Sequence, residues 1–252
     1  MPRALVTGPT AGIGHSFAVQ LAERGHDLVL VARDEQRLAQ VAGELRDRFG
    51  VDVEVLAADL ADRDQLVRVE QRLADRSAPV DLLVNNAGFG LKGRFLDNDV
   101  AAETAMLDVL VTAVVRLMHA ALGPMVERGH GQVLNVSSVA AFLPRGSYSA
   151  AKAYVNKLGE WAAAEYAPHG VTVTTLCPGF VRTEFHERMQ VGQDSAPDFL
   201  WLDADDLVRT ALADLEQGKV YSIPSARYKV ITGAARLVPR GVLQRFQSLG
   251  RK

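Results

Sequence analysis

Residues 4–14 read Ala4-Leu5-Val6-Thr7-Gly8-Pro9-Thr10-Ala11-Gly12-Ile13-Gly14. Ala4 to Val6 are apolar enough for a buried strand. Gly8, Gly12 and Gly14 follow at the spacing GxxxGxG, and apolar residues return at helical spacing from Phe17 through Leu21. Strand, glycine-rich turn and helix in that order form a phosphate-binding turn. Glycines let the backbone bend tightly and let a pyrophosphate approach without meeting a Cβ. The helix N-terminus beyond offers unpaired N–H groups and a partial positive charge. Three glycines in isolation would suit any tight turn, so the rest of the chain must supply the context.

Working outward, residues 27–32, 51–57, 80–84, 132–136, 171–176 and 219–223 read as further strands, and 34–49, 62–77, 100–128, 147–168 and 203–217 as helices. The helix over 100–128 is apolar on most sides, which predicts burial or an interface. Strands alternating with helices predict crossover connections and one doubly wound α/β domain over 1–252, a parallel sheet of about seven strands covered on both faces. In such sheets ligands lie beyond the carboxyl ends of the strands. Those ends read Thr7-Gly8, Arg33, Asp59-Leu60, Asn85-Asn86-Ala87-Gly88, Ser137-Ser138 and Pro178-Gly179, polar or glycine-bearing in nearly every case.

Composition narrows the function classes. A chain of 252 residues with 48% hydrophobic content can bury a substantial core. A net charge of −2 gives no overall basic surface for nucleic acid. One cysteine, Cys177, excludes an intrachain disulfide and suits a reducing compartment. The N-terminus has no room for a signal sequence before its glycine turn, and no apolar run reaches the length of a membrane span, so a cytoplasmic protein is expected. Charge is uneven. From Lys219 onward there are eight Lys/Arg and no Asp/Glu, a basic tail on an acidic body.

Arg33 follows the second strand, where a dinucleotide fold meets the adenosine ribose. A carboxylate there would read a ribose diol, whereas an arginine suits a 2′-phosphate. Position 32 is Ala. NADP(H) is therefore expected over NAD(H), the alternative being a surface arginine at a strand end. Asp59 follows the third strand and could bind an adenine amino group or cap the next helix, a role for which Asp62 competes. Tyr148 and Lys152 stand four apart at the start of a helix, on one face. A fixed ammonium beside a phenol stabilises the phenolate, so the pair could pass a proton to and from an alcohol/ketone couple. The spacing is common on helices. Here it follows a strand ending in Ser137-Ser138 inside a dinucleotide-type fold.

Across residues 3–223 the chain resembles the short-chain dehydrogenase/reductase family. Thr7-Gly8-Pro9-Thr10-Ala11-Gly12-Ile13-Gly14 matches its TGxxxGxG motif, Asn85-Asn86-Ala87-Gly88 its NNAG, and Tyr148-Ser149-Ala150-Ala151-Lys152 its YxxxK. Cys177-Pro178-Gly179-Phe180-Val181-Arg182-Thr183 is similar to its PGxVxT segment. The resemblance implies that Tyr148 is the general acid/base and that Lys152 holds the nicotinamide ribose and depresses the tyrosine pKa. It also implies that Ser138, with Ser137 as the alternative, hydrogen-bonds the substrate carbonyl. Cofactor contacts fall by the same resemblance to Thr7, Gly8, Thr10, Gly12, Ile13 and Gly14, to Arg33, Asp59 and Leu60, to Asn86, Ala87 and Gly88, and to Tyr148 and Lys152. Pro178 and Gly179 belong with them, and Val181 and Thr183 would reach the carboxamide. Homodimers or homotetramers through the two long helices are implied as well.

Two departures stand out. The family commonly carries an Asn in the long helix, in a stretch like D-V-N-x-T, that kinks the helix and supports a water relay to the lysine. This chain reads Asp108-Val109-Leu110-Val111-Thr112, and leucine can do neither through its side chain. The loop from Ser138 to Tyr148 is also shorter than is usual.

The remaining features are less specific. His15 could touch a phosphate or lie solvated in a first turn. His119, His130, His169 and His186 lack metal-ligand spacing, so no metal is expected. Residues 182–202, with Met189, Phe199 and Trp201, resemble a lid for a hydrophobic substrate or form an ordinary loop. The tail over 224–252 sets apolar residues among arginines, with Gly233, Pro239 and Gly241 dividing it into short helices. It reads as a weak membrane-surface segment or as a cap on the cleft or on a neighbouring subunit. The whole predicts an NADPH-dependent oxidoreductase moving a hydride between nicotinamide and the carbonyl or secondary alcohol of an apolar small molecule. The alternative is a dinucleotide-binding sensor or scaffold with impaired chemistry, for which Leu110 is the main support.

Overall fold

Ala4 and Val6 pack into one apolar layer while Leu5, between them, packs into the other. That alternation on a strand buried from both sides sets the architecture. The structure, a computed structural model, describes residues 1–183 and 197–237, with backbone alone for 234–237. Seven parallel strands form the sheet: β1 (Arg3–Thr7), β2 (Asp27–Ala32), β3 (Val53–Ala57), β4 (Leu82–Asn85), β5 (Gly131–Val136), β6 (Val171–Leu176) and β9 (Tyr221–Ser222). Their order is β3-β2-β1-β4-β5-β6-β9. The order reverses between β1 and β4, which opens a crevice at their carboxyl ends.

On one face lie α1 (Gly12–Glu23), α2 (Glu35–Phe49) and α7 (Ala204–Glu216), through Phe17, Leu21, Leu38, Leu45, Val208 and Leu212. On the other lie α3 (Arg63–Ala74), α5 (Val114–Arg128) and α6 (Ser147–Tyr166), through Leu66, Val69, Leu117, Met125, Val155 and Ala162. Asp34, Asp62 and Asp203 cap α2, α3 and α7 by accepting first-turn backbone N–H groups. Asp99 does the same for α4 (Val100–Leu107).

The expected helix over 100–128 is present but irregular. α4 passes into one π-helical stretch, Asp108–Ala113, before α5. It also corrects an expectation. Its length and a mean hydropathy of 1.7 over its best window would suffice to cross a membrane, but 56% of that window is buried inside the fold. Two features were not foreseen. A short parallel ribbon joins β7 (Phe180–Val181) to β8 (Trp201–Leu202). The last described residues form α8 (Ala226–Leu237), which runs through Gly233 instead of breaking there. The central part of the predicted lid and the tail beyond 237 lie outside the described residues.

Candidate active site

The glycine turn is tied down by side chains that the sequence alone did not single out for that task. The buried Thr7 hydroxyl donates to Val84 O (3.3 Å) and accepts from the backbone N–H groups of Asn86 and Ala87 (2.9 Å each). Asn86 Nδ2 donates back to Thr7 O (2.9 Å) and Gly8 O (3.1 Å). The ends of β1 and β4 are thus stitched together at the crevice. Gly8 and Gly12 hold φ of +67° and +55°, which L side chains rarely adopt. Gly14 is helical, but a Cβ on it would collide with Gly8 O and Asn86 Nδ2.

α1 begins at Ala11 with no side-chain cap and no acidic residue in its first turn. Four other helices have an aspartate in that place. The open N-terminus and the Cβ-free cradle together fit the phosphates of a dinucleotide. Thr183, on the far side of the crevice, comes within 2.9 Å of where a Gly12 Cβ would stand.

At the outer end of the crevice the Arg33 side chain is 72% exposed and stands 4.0 Å from Asp59 Oδ2. An exposed pair at that distance is weak, so the guanidinium can take an anionic ligand. Asp59 Oδ1 accepts from Ala61 N (3.0 Å), while Asp62 caps α3. Of the two roles open to Asp59, the cap belongs to its neighbour.

Ser137 and Ser138 part company beyond β5. Ser137 is buried, and its hydroxyl donates to Lys152 O (3.0 Å), fastening α6 to the sheet. Ser138 Oγ accepts from Ala140 N (3.1 Å) and is hydrogen-bonded to the Tyr148 phenol. Ser138 is therefore the serine that shares a site with Tyr148. One turn on, Lys152 is 5% exposed, and its Nζ donates to Val136 O (2.7 Å). It lies 5.8 Å from the Tyr148 ring centroid. Burial pushes the Tyr148 phenol up to about 12, with the Ser138 hydrogen bond opposing it. Burial pushes the Lys152 ammonium down to about 8, opposed by nearby Cys177. The expected depression of the Tyr148 pKa is thus absent, because loss of water outweighs the Ser138 hydrogen bond. The tyrosine holds its proton at neutral pH.

Some expected cofactor residues are brought together in a different sense. Leu60, Pro178 and Val181 are buried side chains, with Val181 2% exposed in the core. Leu110 is likewise buried, in a small cluster with Met106 and Ala151 against which the Tyr148 ring packs. Its Cδ2 would stand 2.7 Å from a Gly88 Cβ. The helix is nevertheless irregular here, since the π stretch contains Leu110 itself. The distortion does not need an asparagine side chain.

Trp201, near the end of the predicted lid, lies in the β7–β8 ribbon. It is buried, and its ring lies 5.5 Å from that of Phe180. Tyr228 of α8 was missed. Its phenol accepts from Phe180 N (3.0 Å) and donates to Leu200 O (2.8 Å), while its ring fills the space a Cβ on Gly179 would need. A lone tyrosine among tail residues gave no signal of its partners 28 and 48 positions away.

Comparison with known proteins agrees with this geometry. A family model for short chain dehydrogenases matches residues 2–194. An uncharacterized oxidoreductase of Staphylococcus saprophyticus is 33% identical over 217 residues, covering 85% of this chain and 91% of the relative. Among solved structures, a short-chain dehydrogenase from Sphingobium yanoikuyae in complex with NADPH is 35% identical, with a TM-score of 0.87 over 97% of this chain and 95% of that one. The bulky-bulky ketone specific alcohol dehydrogenase from Comamonas testosteroni is 31% identical, with a TM-score of 0.82 over 97% and 94%.

Proposed function

The chain belongs to the short-chain dehydrogenase family of oxidoreductases, and from that premise we propose that it is an NADPH-dependent reductase of apolar ketones or aldehydes. The observation that carries the reading is Tyr148 hydrogen-bonded to Ser138, with buried Lys152 one turn away and 5.8 Å from its ring. The bound cofactor supplies the hydride to the carbonyl carbon. Everything else falls to the chain. Gly8, Gly12, Gly14 and the open end of α1 receive the phosphates, and Asn86 and Thr7 hold that turn in shape. Ser138 accepts from Ala140 N, which leaves its O–H to donate a hydrogen bond to the substrate oxygen. Tyr148 gives the one proton that the reduced carbonyl oxygen takes up, and becomes a phenolate. Below about pH 8 the Lys152 ammonium is charged and stabilises that phenolate. A tyrosine that keeps its proton is in the form that reduction uses.

Four observations support the finer points. Arg33 stands where a 2′-phosphate would be met, with no carboxylate at position 32. The NADPH-bound neighbour shares that family. An apolar substrate is supported by Phe89, Leu91 and Val111, which pack around the Leu110 cluster beside Tyr148, and a ketone by the bulky-bulky ketone named for the Comamonas enzyme.

Fluorescence titration with NADPH and NADH, on the native protein and Arg33→Ala, tests the cofactor assignment. Losing a charged hydrogen-bonding partner should weaken NADPH binding about tenfold or more, with NADH unchanged. Equal affinity for the two cofactors in the native protein would contradict the assignment.

A further inference from the structure

α6 carries Tyr148 in its first turn and Lys152 in its second, yet nothing on the helix itself secures that turn. Its N-cap is Gly146, which has no side chain to offer, and no acidic residue lies in its first turn. The missing anion comes from another element. Glu103, on α4, is 5% exposed, a carboxylate in the apolar run Val100-Ala101-Ala102-Glu103-Thr104-Ala105-Met106-Leu107. One of its oxygens accepts from the hydroxyl of Ser147, the residue immediately before Tyr148. The other accepts from Asn98 Nδ2 (2.8 Å). The carboxylate therefore stands at the positive end of α6 with both oxygens engaged.

We propose that Glu103 is a positioning residue for the reaction, seating the first turn of α6 through Ser147 so that the Tyr148 hydroxyl meets Ser138 and the substrate oxygen. The inference rests on Tyr148 being the proton donor. Glu103 reaches the reacting groups only through Ser147. It differs in kind from the aspartate caps elsewhere, which lie on the chain just before the helices they cap. Glu103 is held on a separate helix, one turn before the π stretch, so it couples the placement of α4 to that of Tyr148. A buried carboxylate in such a place is costly unless it is hydrogen-bonded, and here each oxygen accepts one hydrogen bond. Displacement of a reacting group by about 1 Å costs about a hundredfold in rate, so a seat of this kind acts on turnover more than on binding.

Steady-state kinetics with a reactive ketone, together with NADPH titration and thermal unfolding, test the proposal on Glu103→Ala, Glu103→Gln, Ser147→Ala and the Glu103→Ala/Ser147→Ala double variant. Glu103→Ala should lower kcat at least about tenfold, with KM for the ketone and NADPH affinity within about twofold. Glu103→Gln keeps an acceptor for Ser147 and should recover most of the loss. The double variant should be no slower than the slower single one, because both changes break one contact. Unchanged kcat in Glu103→Ala, additive losses in the double variant, or parallel loss of kcat and NADPH affinity would overturn the proposal. Should Glu103→Ala not fold, Ser147→Ala and Glu103→Gln decide alone: normal kcat in Ser147→Ala refutes it. Tyr148→Phe run alongside separates the two readings. An active Phe variant refutes the proton-donor assignment itself, whereas an inactive one beside a fully active Glu103→Ala refutes only this inference.

Discussion

Lys152 Nζ donates a hydrogen bond to the carbonyl of Val136, 2.7 Å away at the end of β5. The bond holds a cation in an almost dry place. Desolvation takes its pKa from 10.5 to about 8, a penalty on the charged folded state of at most about 3 kcal/mol. The unfolded chain binds this proton more tightly, so the penalty is complete below pH 8, shrinks between 8 and 10.5 and vanishes above. Lys152→Met should therefore be more stable than the native protein at pH 7, by about 1–2 kcal/mol once the lost Val136 bond is allowed for, with the advantage gone near pH 10.5. Urea unfolding at both pH values checks this. A less stable Met variant at pH 7 contradicts the burial penalty.

The same two shifts set the pH profile of the reaction. Tyr148 remains protonated to about 12, while Lys152 loses its charge above about 8. The rate of ketone reduction should be flat through neutrality and fall above about pH 8 as the developing phenolate loses its neighbouring cation. Initial rates from pH 6 to 10 at saturating cofactor provide the check. A rate still constant at pH 10 contradicts the role given to Lys152.

Leu110 stands where the family resemblance implies an asparagine. Its surroundings are Met106, Ala151 and the Tyr148 ring, with Gly88 against its Cδ2. An amide placed there meets apolar neighbours. Leu110→Asn should cost about 2–4 kcal/mol of stability and should not increase turnover, since the π stretch is already formed with leucine. Thermal unfolding and kcat measured on the variant decide it. A faster, equally stable Leu110→Asn would show that the native site lacks a group it needs.

How far the sequence foretold this molecule depended on the range of the interactions. The strand ends were legible because burial from both sides demands unbroken apolar runs, and the first polar or glycine residue after each run marks the crevice. Tyr148 and Lys152 were legible because four residues make one turn. Glu103 and Ser147 were not, being 44 positions apart in the chain. A lone acid inside an apolar helix was the one available hint. The burial of Val181 was hidden because a two-residue strand carries no periodicity. The continuity of α8 through Gly233 was hidden because packing of Tyr228 under the ribbon outweighs the weak helix propensity of glycine.

The most direct test of the central claim compares the native protein with Tyr148→Phe for NADPH oxidation in the presence of an apolar ketone, with NADPH affinity measured on both. The account predicts that the Phe variant binds NADPH within about twofold of the native protein but turns over at least about a hundredfold more slowly, the share expected of a positioned proton donor. A Phe variant that still reduces the ketone at close to the native rate would contradict it.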